Sequence, residues 1–322
     1  MEVALLVAAA VFAVAAGAND GSSILAAGIR VPGLRPGTSI VVLLLAVALG
    51  PLFVFGTGVA TTLAHRLVRF GEGDATHAAL LVGVLTAIAV VFALTRAGVP
   101  TSLTLALVGA LTGSGWGAGL PVNTTMLVTI LVAGVLAPVL AGGMGWALAQ
   151  LVWRLMGGVK AGRRAQRWHI VAYTAQCAAY AANGAQKMVA VFAVVVGAGG
   201  SARIADPWWL ALGSTLLFGA GVLVGLRRVT GRLGRGIFRV QLRHTLVAEV
   251  SSSAIVITGG LVGVPLTMSQ AVTGALVGAG ASESPTRVRW PAALRMVGAW
   301  LITLPAAMGL AAAGGAVAAW VS

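Results

Sequence analysis

The sequence is poor in cysteine, in acidic residues and in charge of any kind. Cys177 is its only cysteine, which excludes an intrachain disulfide. Only 9% of its 322 residues are charged and 59% are hydrophobic, a composition that fits no soluble globular class. The 21 Lys and Arg outnumber the 7 acids, but they cluster in short loops between apolar runs, so we expect no nucleic-acid partner. The composition predicts an all-α polytopic membrane protein embedded in a lipid bilayer.

Long apolar runs predict where the chain crosses the membrane. A spanning helix needs about 20 mostly apolar residues, and several runs approach or exceed that length. The predicted spans are 3–29, 38–62, 77–96, 124–156, 168–200, 207–226, 244–262 and 291–320.

Two further apolar stretches, 98–120 and 263–280, are rich in Gly and small polar residues, and each starts with or contains Gly-Val-Pro. Proline removes a backbone donor and breaks a helix. We therefore predict that each stretch is a re-entrant Gly-Pro hairpin that dips into the membrane.

The two stretches also resemble one another. GVPTSLTLALVGALTGSG at 98–115 and GVPLTMSQAVTGALVGAG at 263–280 are identical at 9 of 18 positions without a gap, at an offset of 165 residues. Asn19 and Asn183 are 164 residues apart, and both interrupt apolar spans. We infer two homologous transmembrane repeats, 1–160 and 165–322, each with a broken first helix, as in secondary transporters.

Loop charge favours inverted repeats. The 227–243 linker carries six arginines and no acid, whereas its counterpart at 65–77 contains both acids and bases, which predicts opposite sides of the membrane. Four crossings per half is an even number and inversion needs an odd one. It stays open whether the 33-residue segment 124–156, with Pro138, contains an extra crossing or turn.

The first polar motif is GANDGSS at 17–23. An acid inside a span is costly unless it finds a cation, a proton or a partner, so Asp20 is a candidate coupling-cation ligand. Gly17 and Gly21 would loosen the helix and free backbone groups. Asn19 and Ser22 supply neutral groups for an anion; alternatively, these atoms only join helices.

Further candidate residues come from the second half and from the hairpins. Asn183, Gln186 and Lys187 occupy the equivalent stretch, where Lys187 could attract an anion, pair with Asp20 or snorkel to an interface. Glu249 is either a second coupling-cation ligand or an interfacial partner of Arg243. If short helices start at the hairpins, their N-termini suit an oxyanion; the hairpin hydroxyls belong to Ser102, Thr104, Thr267 and Ser269.

With these motifs the chain resembles the inorganic phosphate transporter family, over nearly its whole length. GAND at 17–20 is similar to the first family signature, ANGAQKM at 182–188 to the second, and GVPTSLT at 98–104 and GVPLTMS at 263–269 to the hairpins. The final VRWPAALRMVGAWLITLPAA at 288–307 looks like the last family span.

Several positions depart from the family pattern. His, Gly and an acid are usual in the second signature where this chain has Tyr180, Ala181 and Gly184. The hairpin histidines are replaced by Leu105 and Gln270, and a hairpin hydroxyl is missing at Leu103 and Met268. The lost acid puts the cation site of the second half in doubt.

The resemblance implies a cation-coupled symporter of inorganic phosphate in the cell membrane, multi-pass and often a homodimer. The coupling ion would be sodium or a proton, and no cofactor is expected. Transport of another oxyanion or of a metal–phosphate complex, and a passive anion channel, remain alternatives. An enzyme is not expected, because the four histidines, among them His169, lie near span ends with no mid-membrane Ser or Cys partner.

Overall fold

The computed structural model describes residues 2–29, 34–71, 73–97, 99, 101–155, 163–195, 208–232 and 242–321. Within these residues the secondary structure is helical, apart from one isolated β-bridge between Val68 and Val122. The helices are α1 Glu2–Ala16, α2 Ser22–Ile29, α3 Pro36–Leu49, α4 Gly58–Thr61, α5 Asp74–Arg96, α6 Leu103–Gly117, α7 Thr124–Leu155, α8 Arg163–Tyr180, α9 Gln186–Val195, α10 Trp208–Arg232, α11 Leu242–Leu261, α12 Met268–Glu283 and α13 Trp290–Val321.

Four π-helical turns interrupt this series, at Gly17–Gly21, Gly50–Val54, Thr62–Leu67 and Ala181–Ala185. The turn at Gly17–Gly21 joins α1 to α2, and the turn at Ala181–Ala185 joins α8 to α9. A π turn inserts one residue into a helix without ending it. The first span is therefore continuous in hydrogen bonding around GANDG, and the interruption predicted there is a widened turn rather than an unwound segment.

Six helical stretches are long and apolar enough to cross a bilayer, which confirms an all-helical membrane protein. They are Glu2–Ile29, Pro36–Val54, Asp74–Arg96, Thr124–Arg154, Trp208–Leu226 and Trp290–Val321. The other two predicted spans also contain helices, α8 with α9 and then α11, but these helices carry more polar residues. Residues 196–200 of one predicted span, and most of the 227–243 linker, lie outside the described residues.

One predicted helix end was wrong, and one question that the sequence left open is answered. The span predicted at 38–62 ends at Val54, because Pro51 lacks a backbone donor and Gly56 has a positive φ of 65° that breaks the helix before α4 begins. The open question concerned the segment 124–156: over its described residues, 124–155, α7 continues through Pro138 without an extra turn.

Each Gly-Val-Pro stretch leads into a single helix. Extended backbone at Ser102 precedes α6, and extended backbone at Thr267 precedes α12. Gly263 has a positive φ of 73° at the turn that ends α11. Gly98 and Pro100 lie outside the described residues.

Glycine allows α12 to lie directly against α7. A Cβ atom at Gly278 would collide with the backbone oxygen of Gly142, and one at Gly274 with that of Pro138. The same pattern joins α6 to α13, where a Cβ at Gly113 would collide with the oxygen of Met308. Small residues at a four-residue spacing allow such close approach of membrane helices. Each of these helix pairs joins a helix from the first half of the sequence to one from the second half.

Glu283 fastens the end of α12 to neighbouring helices. Its carboxylate accepts hydrogen bonds from Trp153 Nε1 of α7 at 2.9 Å and from Arg287, and Arg243 of α11 lies 2.6 Å away. His244 Nε2 is 2.9 Å from Glu283 Oε1, the oxygen that Arg243 also contacts. Burial raises the pKa of this carboxyl, but the hydrogen bonds and the nearby positive charges outweigh burial and leave the pKa below its usual value.

We predict that Gly278→Ala destabilises the protein, because the added methyl group forces α12 away from α7. Overpacking of this kind costs about 1–3 kcal/mol. The matched control is Gly143→Ala, since a Cβ there meets no atom within 4 Å and Ala favours a helix. Thermal unfolding in detergent should show a lower Tm for Gly278→Ala only; equal behaviour of the two variants would contradict this packing.

We predict that Glu283→Gln lowers stability at pH 7 by roughly 2 kcal/mol, since charged hydrogen bonds are lost. The lowered pKa of Glu283 means that its contribution is complete above the pKa of the unfolded chain and disappears as the pH falls through the folded value. The Tm difference between wild type and variant should therefore shrink in acid. A difference that grows in acid would contradict the assignment.

Candidate functional site

The π turn at Gly17–Gly21 presents Asn19 and Asp20 side by side. Asn19 Nδ2 donates to Asp20 Oδ1 at 2.8 Å, and both side chains are partly buried. Gly17 and Gly21 lie against Phe218 of α10, where a side chain would not fit. Small residues at these two positions therefore seat the polar turn on α10.

The serines that follow this turn bond to its backbone. Ser22 Oγ donates to the Ala18 oxygen at 2.7 Å, and Ser23 Oγ donates to the Asn19 oxygen at 3.1 Å. Such bonds give a partner to backbone carbonyl oxygens whose normal helical hydrogen bonds are disturbed by the π turn. Ser22 thus stabilises the turn in this conformation.

Asn183 connects the second π turn, Ala181–Ala185, to the segment before α12. Its Nδ2 donates to the Val264 oxygen at 2.9 Å, and its Oδ1 accepts from the Leu266 amide at 2.9 Å. The side chain thus replaces the backbone partners that this extended segment lacks. Asn183 is buried, and both ends of its amide are engaged.

Gln186 performs a similar task for α4. Its Oε1 accepts from the backbone amide of Val59 at 2.8 Å, close to the start of that short helix, and its Nε2 donates to the Ala182 oxygen at 2.6 Å. Free amides at a helix start need such an acceptor. Gln186 therefore fixes α4 relative to the second π turn.

Lys187 joins both proline-containing segments. Its Nζ donates to Thr104 Oγ1 at 2.6 Å and to the Leu266 oxygen at 2.7 Å, and the residue is only 4% exposed. Its charge also interacts with that of Asp20. A buried ammonium requires such partners. The sequence alternative of a snorkelling lysine is therefore wrong.

The segments before α6 and α12 also touch each other. Ser102 Oγ and Thr267 Oγ1 are 3.0 Å apart, and Ser102 Oγ additionally accepts from the Leu105 amide at 3.2 Å, which caps α6. Ser269 Oγ is buried without a hydrogen-bond partner among the described residues. The structure thus brings Ser102, Thr104 and Thr267 together with Lys187. The sequence named these residues as candidates but did not predict which of them contact each other.

Tyr180 is a residue whose importance the sequence did not reveal. Its ring covers Gly184, so that a Cβ atom at position 184 would collide with the ring, and it stacks on Phe218 with centroids 5.3 Å apart. Phe218 also supports the first π turn, so one aromatic pair links the two π turns. The one available signal was the joint replacement of the usual His and acid by Tyr180 and Gly184.

Glu249 does not pair with Arg243, so the interfacial alternative is wrong. Arg243 binds Glu283, whereas Glu249 is 2% exposed and its Oε2 lies 3.6 Å from His169 Nδ1. Glu249 and His169 lie between α11 and α8, outside the network around Lys187. Among the described residues, no three His, Cys, Asp or Glu side chains converge as metal ligands.

Taken together, the network around Lys187 contains one ammonium, one nearby carboxylate, three hydroxyls and the N-termini of α6 and α12. Such a set provides positive potential and donors for an oxyanion, together with oxygen ligands for a small cation. The sequence model of the phosphate transporter family matches residues 16–178 and 160–311. The chain belongs to this family.

Curated relatives in the phosphate transporter family align with part of the chain. A probable low-affinity inorganic phosphate transporter of Mycobacterium tuberculosis (strain ATCC 25618 / H37Rv) is 33% identical over 132 residues, which cover 40% of this chain and 32% of that protein. One from Bacillus subtilis (strain 168) is 23% identical over 162 residues, 50% of this chain and 49% of that protein. The chain thus spans about a third to a half of the length of these relatives.

A solved structure supports the family's fold over the whole chain. It is titled "The sodium-dependent phosphate transporter", has a TM-score of 0.81 to this chain at 18% identity, and the match covers 99% of this chain and 98% of that one. The similarity establishes a shared fold. The members of this family are transporters rather than enzymes.

We predict that Asn183→Ala destabilises the protein more than Asn19→Ala. Removing the Asn183 amide leaves the buried groups of Val264 and Leu266 without partners, at about 1–3 kcal/mol each. Asn19 is partly buried, and within the described residues its side chain bonds only to its neighbour Asp20. Thermal unfolding of both variants measures the difference; a larger loss for Asn19→Ala would contradict the role assigned to Asn183.

Proposed function

We propose that the protein is a secondary active symporter that carries inorganic phosphate across the membrane together with a cation. The observation that carries this proposal is the position of Lys187, whose buried ammonium bonds to Thr104 in the first turn of α6 and to the Leu266 oxygen just before α12. A buried positive charge at the meeting point of four polar segments suits an anionic substrate.

Phosphate would bind between Lys187 and the starts of α6 and α12. Dihydrogen and monohydrogen phosphate carry one and two negative charges, and helix N-termini add positive potential. The hydroxyls of Ser102, Thr104 and Thr267 supply donors once phosphate replaces their present partners, and Ser269, buried without a bond, supplies another. Asn19 and Ser22 would line the opposite side.

For Asn183 and Gln186 the proposed role is positioning rather than direct contact. The side-chain atoms of both already bond to backbone groups, Asn183 before α12 and Gln186 at α4. Loss of either would move the backbone that presents the hydroxyls. Both residues therefore remain part of the proposed site.

The coupling cation, sodium or a proton, would bind at Asp20, with Glu249 as a second acid. In the second half, the ring of Tyr180 fills the space beside Gly184, so no acid replaces the one that the family usually carries there. Lys187 supplies a fixed positive charge close to Asp20 instead. We therefore propose fewer coupled cations than two complete acid sites would bind.

We further propose two inverted repeats, 1–160 and 165–322, with re-entrant segments before α6 and α12. The contact between Ser102 and Thr267, 165 residues apart, supports this symmetry, because it joins equivalent positions. The packing of α6 on α13 and of α12 on α7 supports it too, since each pair crosses between the halves. Movement of one such unit against the rest would alternate access to the site.

The proposed location is the cell membrane, where the protein would act as a multi-pass carrier, with a homodimer as the proposed assembly. The alternatives are transport of another oxyanion or of a metal–phosphate complex, and passive anion conduction. Uptake of labelled phosphate into proteoliposomes in the presence of unlabelled sulfate, arsenate or metal phosphates shows which of these compounds competes for the site. A channel would be indifferent to ion gradients at fixed voltage.

We predict that Asp20→Asn abolishes cation-driven phosphate accumulation in proteoliposomes. The variant removes the charge that would hold the cation and keeps the size of the side chain. Under the sodium or proton gradient that drives the wild type, accumulation of phosphate by the variant should be at least about tenfold lower. A tenfold lower accumulation corresponds to a loss of about 1.4 kcal/mol of driving force.

The control for this experiment is Asp74→Asn, which removes an exposed acid at the start of α5. It should accumulate phosphate as the wild type does. Equal accumulation by Asp20→Asn and wild type would overturn the role of Asp20, and no gradient-driven uptake by the wild type would overturn the proposed symport.

A further inference from the structure

A second group of buried polar side chains lies between α8 and α11. His169 is 1% exposed and Glu249 is 2% exposed, and their nearest side-chain atoms are 3.6 Å apart. That distance is too long for a hydrogen bond, and among the described residues both Glu249 oxygens and His169 Nδ1 are buried without a hydrogen-bond partner. Buried polar groups are rarely left this way without a functional reason.

The two helices run parallel at this contact. Near the start of α8, His169 faces Glu249 of α11. Thirteen residues after His169, in the π turn that follows α8, Ala182 faces Gly260, which lies eleven residues after Glu249 on α11. Ser253 therefore lies one turn beyond Glu249, in the direction of the Lys187 network. Its hydroxyl is also buried without a partner.

A stripe of polar side chains continues from His169 along one face of the same helical segment. Its members recur at spacings of four and three residues, the period of one helix face, and all are buried. They are His169, Tyr173, Gln176, Tyr180, Asn183 and Lys187. At 1.5 Å per residue this polar stripe is about 27 Å long, close to the thickness of the hydrocarbon core.

The stripe also contains bonding capacity that the protein does not use. Gln176 Oε1, which lies between His169 and Lys187 along the stripe, is buried and has no hydrogen-bond partner in the part of the chain that the structure describes. Tyr173, the next member of the stripe after His169, donates its hydroxyl to the Ser39 oxygen at 2.8 Å. The stripe thus leads from the acid at one end to the ammonium near Asp20 at the other.

The chemistry of the pair favours a proton over a metal cation. With one proton, His169 and Glu249 together carry no net charge, either as an ion pair or as two neutral groups. Without it they carry one negative charge in a buried place, which is costly. A basic nitrogen 3.6 Å from the carboxylate competes with a sodium ion for this space, because it repels the cation whenever it is protonated.

The helices packed against α11 carry other titratable and charged groups besides His169. Tyr173 and Cys177 of α8 lie near Glu249 as neutral side chains. Glu283 of α12 is engaged with Arg243 and His244 in the first turn of α11. Exposed charges lie near helix ends, at Arg154 of α7 and Arg167 of α8.

We propose that His169 and Glu249 form a proton-binding site at the head of the polar stripe, and that this proton travels with phosphate. The inference rests on the proposed function and names the ion bound at Glu249. The proton leaves a water molecule or buffer on one side, forms an N–H or O–H bond in the pair, and is released to water on the other side. Chains of His, Glu and polar residues conduct protons in other membrane transporters.

The experiment measures labelled phosphate uptake into proteoliposomes with an acidic exterior, no sodium, and the voltage fixed with potassium and valinomycin. A gradient of one pH unit supports about tenfold accumulation for each coupled proton, beyond the accumulation that titration of phosphate itself produces. Wild type and the Asp74→Asn control should show this excess. Glu249→Gln and His169→Gln should lose it.

Two transport results would overturn the inference. One is retention of the proton-driven excess by Glu249→Gln. The other is a wild type driven by sodium at equal pH on both sides, with Glu249→Gln losing that drive, because the ion at Glu249 would then be sodium. Either result leaves phosphate symport itself intact, so failure of this inference is distinct from failure of the proposed function.

A second readout does not require transport. Infrared difference spectra of the purified protein between two pH values should contain a carboxylic-acid C=O band if the proton lies on Glu249, or an imidazolium band if it lies on His169. Either band should be lost or shifted in both Glu249→Gln and His169→Gln. A matching Tm confirms that each variant is folded. Absence of any pH-dependent band from either the Glu249 carboxyl or the His169 imidazole would overturn proton binding by the pair.

Discussion

The burial of one ammonium group organises the centre of this protein. Lys187 has left water at a large desolvation cost, and its hydrogen bonds to Thr104 and to the Leu266 oxygen offset that cost only if both segments stay in place. Asn183 holds the second of those segments through Val264 and Leu266. The positions of α6 and α12 therefore depend on the same few bonds as the proposed phosphate site.

Much of the architecture followed from hydrophobic runs and from two asparagines. Charge and amide groups are so unfavourable in lipid that Asn19, Asp20 and Asn183 had to mark special positions, and both asparagines lie in π turns. The helix ends were less predictable. Gly56 breaks the span predicted at 38–62 through a local backbone angle, while α7 continues through Pro138.

Sequence patterns identified the members of the site better than their partners. The hydroxyls before α6 and α12 converge as expected, but nothing local predicts that Gln186 would cap α4, since that bond joins residues 127 positions apart. The pairing of His169 with Glu249 was missed for the same reason. Side-chain partners across long separations depend on helix register, which a single sequence specifies only weakly.

The most direct test of the central claim is equilibrium binding of labelled phosphate to purified wild type, Lys187→Arg and Lys187→Met. If Lys187 provides the positive charge for phosphate, Lys187→Met should bind at least about tenfold more weakly, a loss of about 1.4 kcal/mol, and Lys187→Arg should bind better than Lys187→Met. Unchanged phosphate affinity in a folded Lys187→Met protein would contradict the account.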